Sequence, residues 1–339
     1  FAFLLALLLR RVGVLLALAD ELGILVFLDF LVMAAATDHA CTTLIRRCSS
    51  VQQAITAASS FDKIRVLSGT YAGTTTLNKS LTFIGIGSPT IANLVITNGA
   101  TTTNSTGIFS PHVVVNQVSA VGAKISDALQ LILPGGVIDI EAGTYAENLT
   151  IAKNITVRGP YAGIDATNLS RGSGEARIVP STNDTAGGVG VQITANNVTI
   201  DGLTLDGDNT TLAGGTLMNG ADSNAAYGLY AASVSGITIK NTIFKTFTTF
   251  GVLFVETNGL HNSIEHNLFD NFPANTIFSS PRVVALLNNA YVDVMYNTFR
   301  RVSVGVYTQN FSNAGPTSTI SYNTISSYRS GIWHNLQSF

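Results

Sequence analysis

Residues 137–159, VIDIEAGTYAENLTIAKNITVRG, set short apolar runs between Gly, Asn and Lys, and read as strand, tight turn, strand, turn, strand with no helix between. An earlier stretch repeats the pattern. Ala54 falls on Ala128, Gly69 on Gly143, Lys79 on Lys153 and Gly85 on Gly159 under one gapless shift of 74 residues (143 − 69). Ile64, Thr70, Tyr71, Ala72, Thr76 and Thr82 recur unchanged under the same shift. A duplicated unit of this kind is the signature of a solenoid, in which each repeat buries its apolar side only against its neighbours.

A short helix precedes the strands in both copies. The first, VQQAITAA, places Val51, Ala54, Ile55 and Ala58 at helical spacing behind an N-cap candidate, Ser50. The second is expected over Lys124 to Leu133, ended by Pro134-Gly135-Gly136. The strands then follow as V/I-x-V/I, a GTY turn, and K-[SN]-[LI]-T-[FV] closing on glycine. This unit resembles the first rungs of right-handed parallel β-helix proteins of the pectin-lyase-like superfamily, where a capping helix of the VQQAITAA kind is followed by a GTY turn. The resemblance runs from about Ser49 to the end of the chain. It implies an all-β fold, a right-handed parallel β-helix with short N-terminal capping helices. It says less about function, because that superfamily holds polysaccharide lyases, hydrolases and esterases beside phage tailspikes and non-catalytic surface proteins.

Later segments line up as rungs: VTIDGLTL from Val198, ITIKNTIF from Ile237, IEHNLF from Ile264, VMYNTF from Val294 and ISYNTI from Ile320. Asn241, Asn267, Asn297 and Asn323 lie 26, 30 and 26 residues apart, the interval of one rung. Asparagine suits such a corner, since it tolerates left-handed backbone angles and its amide can bond the equivalent amide one rung away. Phe244, Phe269, Phe299 and Ile325 follow two or three residues later and are expected to stack inside. Successive rungs then pair in parallel and in register, and the handedness rule for parallel connections makes the coil right-handed.

Three regions result: an apolar N-terminal segment, residues 1–48; a first cap-plus-rung repeat, 49–115; and the main β-helix, 116–339. Charged residues (Arg10, Arg11, Asp20, Glu21, Asp29) interrupt the N-terminal segment too often for a membrane span. Residues 22–36, LGILVFLDFLVMAAA, have the length and small-residue ending of a secretory signal's apolar region, with an incidental apolar helix as the other reading. Cys41 and Cys48 either close one small loop in a secreted protein or are free thiols. The chain ends soon after the start of another rung, GIWHN, without a polar cap, so further rungs are expected in a larger parent surface protein.

Only 11% of the 339 residues are charged and the net charge is −2, which leaves no electrostatic footprint for nucleic acid. The five histidines are scattered, with no spacing that suits zinc. Chemistry, if present, would lie in an acidic cluster, Asp201, Asp206 and Asp208. Extended residues 206 and 208 would project their carboxylates from one face about 7 Å apart, enough for a water between them or for two ligands of a calcium ion; no cofactor is expected beyond that option. Turn chemistry in D-G and G-D-N explains the same residues without function. A second candidate is a column in which Asp201, Lys240 and His266 precede successive corners, joined by Tyr296 and Tyr322 as aromatic platforms for a sugar ring. Arg300 and Arg301 could neutralise uronate carboxylates. Glu147, just after the second GTY turn, has Gly73 at its equivalent place and is not assigned a chemical role.

The signatures of the superfamily's enzymes are absent: no Gln-Asp pair or GRPW segment, no NTD, DD, GHG or RIK, and no RxPxxR arginine motif. The expected function is therefore a secreted or cell-surface β-helix that binds polysaccharide or serves as an adhesin-like module. A polysaccharide lyase or glycoside hydrolase acting on an acidic glycan is the alternative.

Overall fold

A computed structural model of the chain describes residues 29–32, 47–97, 100–102, 105–116, 123–168, 171–256, 261–274, 281–309 and 317–335. They belong to two compact units, one drawn from residues 1–71, 79–89 and 102–108, the other from 72–78, 90–101 and 109–339. In the first unit, helix α1 (Val51–Ala57) accompanies a parallel sheet ordered Arg47–Cys48, Asp29–Val32, Lys63–Leu67, Thr82–Ile86. Asp29–Val32, within the stretch read as a signal or an apolar helix, is a strand in register with Lys63–Val66. Cys48 is buried and disulfide-bonded; Cys41 lies outside the described residues.

In the second unit, helix α2 spans Ile125–Leu131 rather than 124–133. Pro134-Gly135-Gly136 does not stop it. The helix ends earlier, where Ile132 turns extended, and the strand Ile132–Ile140 runs through all three residues. Proline's fixed φ fits an extended chain as well as a break.

Both copies of the repeat fold alike down to single hydrogen bonds. Lys63 pairs with Thr82 in the first unit as Val137 pairs with Thr156 in the second. Tyr71 donates its hydroxyl to the Leu67 carbonyl, and Tyr145 to that of Glu141. Lys79 donates to the carbonyls of Ile55, Thr56 and Ala58 at 3.0, 2.9 and 2.7 Å; Lys153 does the same to Leu129, Gln130 and Ile132 at 2.8, 3.0 and 2.7 Å. One ammonium thus satisfies three carbonyls left open at a helix C-terminus, where positive charge also complements the dipole. The helix N-termini differ. Ser50 caps α1 by accepting from the Gln53 amide. Its equivalent at α2, Lys124, makes no side-chain cap. Glu147 replaces it from the turn, its carboxylate accepting from the amides of Ile125 and Ser126 at 2.7 and 3.0 Å.

Most turns of the second unit run through three strands, so that three sheet faces surround the core. One turn is Thr199–Asp201, Thr204–Asp206 and Ala225–Ala232; the next is Thr238–Lys240, Ile243–Lys245 and Phe250–Val255; the third is Asn262–Glu265, Leu268–Phe272 and Arg282–Leu287. Val292–Met295 then leads into Thr298–Gln309, one strand long enough to bend through the second and third faces, which therefore count as one twelve-stranded sheet. The first face is the ten-stranded sheet. All pairings between turns are parallel, the arrangement of a parallel β-solenoid. Phe244, Phe269 and Phe299 stack in the core with ring centroids 5.1 and 4.8 Å apart, and Ile325 continues their column. Gly228 and Gly251 lie opposite the stack. A Cβ on Gly228 would come 3.1 Å from the Phe244 ring, and one on Gly251 3.2 Å from Phe269.

Because α2 has no other N-terminal cap, Glu147→Ala should cost about 1–2 kcal/mol in chemical denaturation. Adding Lys124→Ser, which recreates the Ser50 arrangement, should recover about half of that loss.

Candidate functional site

Register decides which of the expected site residues share a column. On the first face Asp139 pairs with Arg158, Arg158 with Asp201, Asp201 with Lys240 and Lys240 with Glu265. On the second, Asp206 pairs with Lys245, Lys245 with Asp270 and Asp270 with Arg300. The sign alternates at every step of both columns. Strands of adjacent rungs lie about 4.8 Å apart, so equal charges would repel at nearly the closest approach the fold has. Opposite ones bond. Arg158 grips Asp139 through two nitrogens at 2.6 and 2.8 Å, and His112 reaches the same carboxylate at 2.7 Å. Lys245 and Arg177 meet Asp206 at 2.9 and 2.7 Å. Arg300 and Arg301 both bond Asp270, Arg301 through two nitrogens at 2.8 and 2.7 Å.

Asp201, Asp206 and Asp208 do not present a common carboxylate groove. Gly202 and Leu203 turn the corner between them, leaving Asp201 on the first face and Asp206 on the second. Asp201 is buried and accepts from the Gly163 amide and the Asn241 side chain, with Lys240 at 3.8 Å. Asp206, only 2% exposed, has one oxygen on its two cations and the other on the Asp208 amide. A calcium ion would have to displace Arg177 and Lys245. Asp208, its carboxyl pushed up by burial and then by Asp206, bridges through its backbone to Ser223. Among the described residues no group of three or more His, Cys, Asp or Glu is placed to hold a metal.

The expected Asp201, Lys240, His266 column is also off by one. Lys240 is level with Glu265, so His266 stands beside Asn241, in the column Gly202, Asn241, His266, Tyr296, Tyr322. These corner residues hold the left-handed conformation, with φ of 75°, 50°, 55°, 57° and 55°. The asparagine ladder lies one position later. Asn267 bonds Asn297 and Asn297 bonds Asn323, amide to carbonyl at 3.0 Å, while Thr242 occupies the level of Asn267 in the preceding rung. Asn241 is thus a corner residue, not a ladder member, because its rung pairs 25 residues on (Lys240 with Glu265) instead of 26.

The excursion after Gly159 is strapped across this corner. Gly202 has no room for a side chain, since a Cβ would sit 2.1 Å from the Ala162 nitrogen. Ala166 donates to the His266 carbonyl at 3.1 Å and the Asp165 carboxylate meets the His266 ring at 3.0 Å. Arg171, its side chain 4% exposed, pairs with Glu175, donates to the Asn241 carbonyl and lies over the Tyr161 ring. Burial pushes the Glu175 carboxyl up and the Arg171 guanidinium down. From His266 onward the corner carries aromatic rings. His266, Tyr296 and Tyr322 stack with centroids 5.2 and 5.0 Å apart and planes within 7° and 3° of parallel. Tyr296 is 45% and Tyr322 75% exposed. Their mutual stacking covers ring faces, so the ladder presents outward chiefly edges and hydroxyls, a different surface from the flat platform expected of separate tyrosines.

A second aromatic surface escaped the sequence reading. On the third face, the alternation that buries Leu229, Val252, Val284 and Val306 turns Tyr230, Leu253, Ala285, Tyr307 and Trp333 the other way. With Tyr227, Phe250 and Val304 they form an apolar cluster outside the core. Masked by the corner pattern, these residues carry no local motif; only aligning the third strand of each turn would have joined them. Comparisons of the chain with family models, curated proteins and solved structures find no match.

Removing the shared acid should be costly: Asp206→Asn leaves two cations facing a neutral amide and is expected to lose about 3 kcal/mol in urea unfolding. Lys245→Gln, on the exposed side of the pair, should lose less than about 1 kcal/mol. Asp139 is held below the usual carboxylate range by Arg158 and His112, against the upward pull of burial. Asp165 is likewise lowered, by Thr167 and His266, against burial. Stability from these two is complete above about pH 4 and lost as pH falls through their lower folded-state values. A thermal melt series should therefore drop below about pH 4, less steeply in Asp165→Asn.

Proposed function

We propose that this chain is a secreted or cell-surface β-helix of the pectin-lyase-like kind that binds polysaccharide along its outer surface and carries out no chemistry on it. The observation that carries the reading is the exposed ladder of Tyr296 and Tyr322 at left-handed corner positions. Tyrosine is strained there by about 1 kcal/mol relative to glycine or asparagine, the residues that fill the same corner at Gly202 and Asn241. Strained, outward-facing rings at regular spacing suit a repeating ligand. The ring separation is comparable to one pyranose unit, and phenol hydroxyls with an imidazole edge offer hydrogen bonds to sugar hydroxyls.

The alternative, glycan cleavage, needs an available acid and base. Asp201, Asp206 and Asp270 are each engaged by neighbouring side chains or amides. The disulfide at Cys48 supports an oxidising compartment.

In isothermal titration against a panel of soluble polysaccharides, the protein should bind at least one, with polymer length unchanged after prolonged incubation. Replacing Tyr296 and Tyr322 by Asn should preserve or raise thermal stability and weaken that binding about tenfold. Shortened polymer or an unsaturated uronate product would establish the cleavage reading in place of this one.

A further inference from the structure

On the outer side of the third face, Arg282 differs from the arginines that neutralise acids in this unit. Arg158, Arg171, Arg177, Arg300 and Arg301 each meet a carboxylate. Arg282 meets none. Its guanidinium lies over the Tyr307 ring at 4.5 Å and the Trp333 ring at 5.4 Å. Its Nε is closed off from solvent without a hydrogen-bond partner. Its two terminal nitrogens are not among the closed-off atoms.

Register explains how the arginine comes to lie there. Arg282 continues the column of Tyr227 and Phe250 and precedes Val304. In the neighbouring column its own rung contributes Ala285, where the flanking rungs have Leu253 and Tyr307. The small side chain leaves the arginine space to fold over the next rings. Those rings are held in place: Tyr307 donates its hydroxyl to Gln309 at 2.7 Å and accepts from the Asn335 amide at 3.0 Å, and Trp333 packs edge-on to Tyr307 with centroids 5.3 Å apart.

We infer that Arg282, on its Tyr307 and Trp333 rings, is a subsite for the carboxylate of an acidic sugar residue within a polysaccharide. A guanidinium lying on aromatic rings is partly desolvated and pre-oriented, and its fork of N–H donors matches a carboxylate in two parallel bonds. The half-buried Trp333 and Tyr230 supply apolar surface for the carbon face of a sugar ring, and the Gln309 and Asn335 amides supply hydrogen bonds at the edge. In a chain that otherwise pairs its column charges within itself, a cation kept available on a rigid aromatic base is complementary to an anion from outside. This rests on the polysaccharide-binding reading and adds the charge of the ligand and the place where it is recognised.

The test uses the full chain and three probes in isothermal titration: a polyuronate, the same polymer after carboxyl reduction, and a sulfated polysaccharide of similar length. The wild type should bind the polyuronate at least about tenfold more tightly than its reduced form. Arg282→Gln should remove that preference while leaving binding of the neutral polymer unchanged, and Arg282→Lys, which keeps the charge without the fork, should restore only part of it. Circular dichroism melts establish that each variant is folded; if Arg282→Gln is not, Arg282→Lys alone must lower the preference. Equal binding of polyuronate by wild type and both variants would overturn the subsite and leave polysaccharide binding standing. Binding to none of the probes or to any other polysaccharide would overturn both. Tighter binding of the sulfated polymer, lost with Arg282, would overturn the carboxylate assignment in favour of a sulfate ester.

Discussion

In a parallel coil paired in register, each side chain faces its equivalent one rung away at about 4.8 Å. That constraint governs the second unit. Rings tolerate it, and the Phe244, Phe269, Phe299 stack turns it into core cohesion. Charges do not, unless their sign changes from rung to rung. The columns from Asp139 to Glu265 and from Asp206 to Arg300 meet the condition by alternating at every step. A strand displaced by a whole rung would bring acid beside acid, so the alternation favours one order of stacking as well as stabilising it.

The same constraint explains how residues of catalytic type come to be paired with one another. Asp201, Asp206 and Lys240 have the chemistry of acids and bases, but their equivalents in adjacent rungs are charges of opposite sign within reach. Outside the core, the same alignment stacks aromatic rings: the corner ladder of His266, Tyr296 and Tyr322, and the third-face cluster around Tyr307 and Trp333. Surfaces built this way repeat at the period of the coil.

The ends of the duplicated units show how a repeat drifts while keeping its structure. Lys79 and Lys153 close helix C-termini identically, whereas the N-terminal cap has moved from Ser50 in one copy to Glu147 in the other. Position 147 had looked uninformative because Gly73 occupied its equivalent. Considered together with the exchange of Ser50 for Lys124, the pair is a single requirement, two helix amides needing an acceptor, met from two places.

The sequence alone determined the coil: a gapless 74-residue repeat, glycine and asparagine corners, and phenylalanines at rung spacing left few other ways to bury the apolar positions. What it could not fix was register between rungs, because turns of 25, 30 and 26 residues pair through space and a shift of one moves a side chain to another column. Asn241 and His266 were misassigned for that reason, and the acids appeared as a cluster because their partners lie in neighbouring turns. Only the tertiary structure, by setting which turn lies on which, decided that Asp206 is neutralised from both sides and that Arg282 rests on rings without an acid beside it.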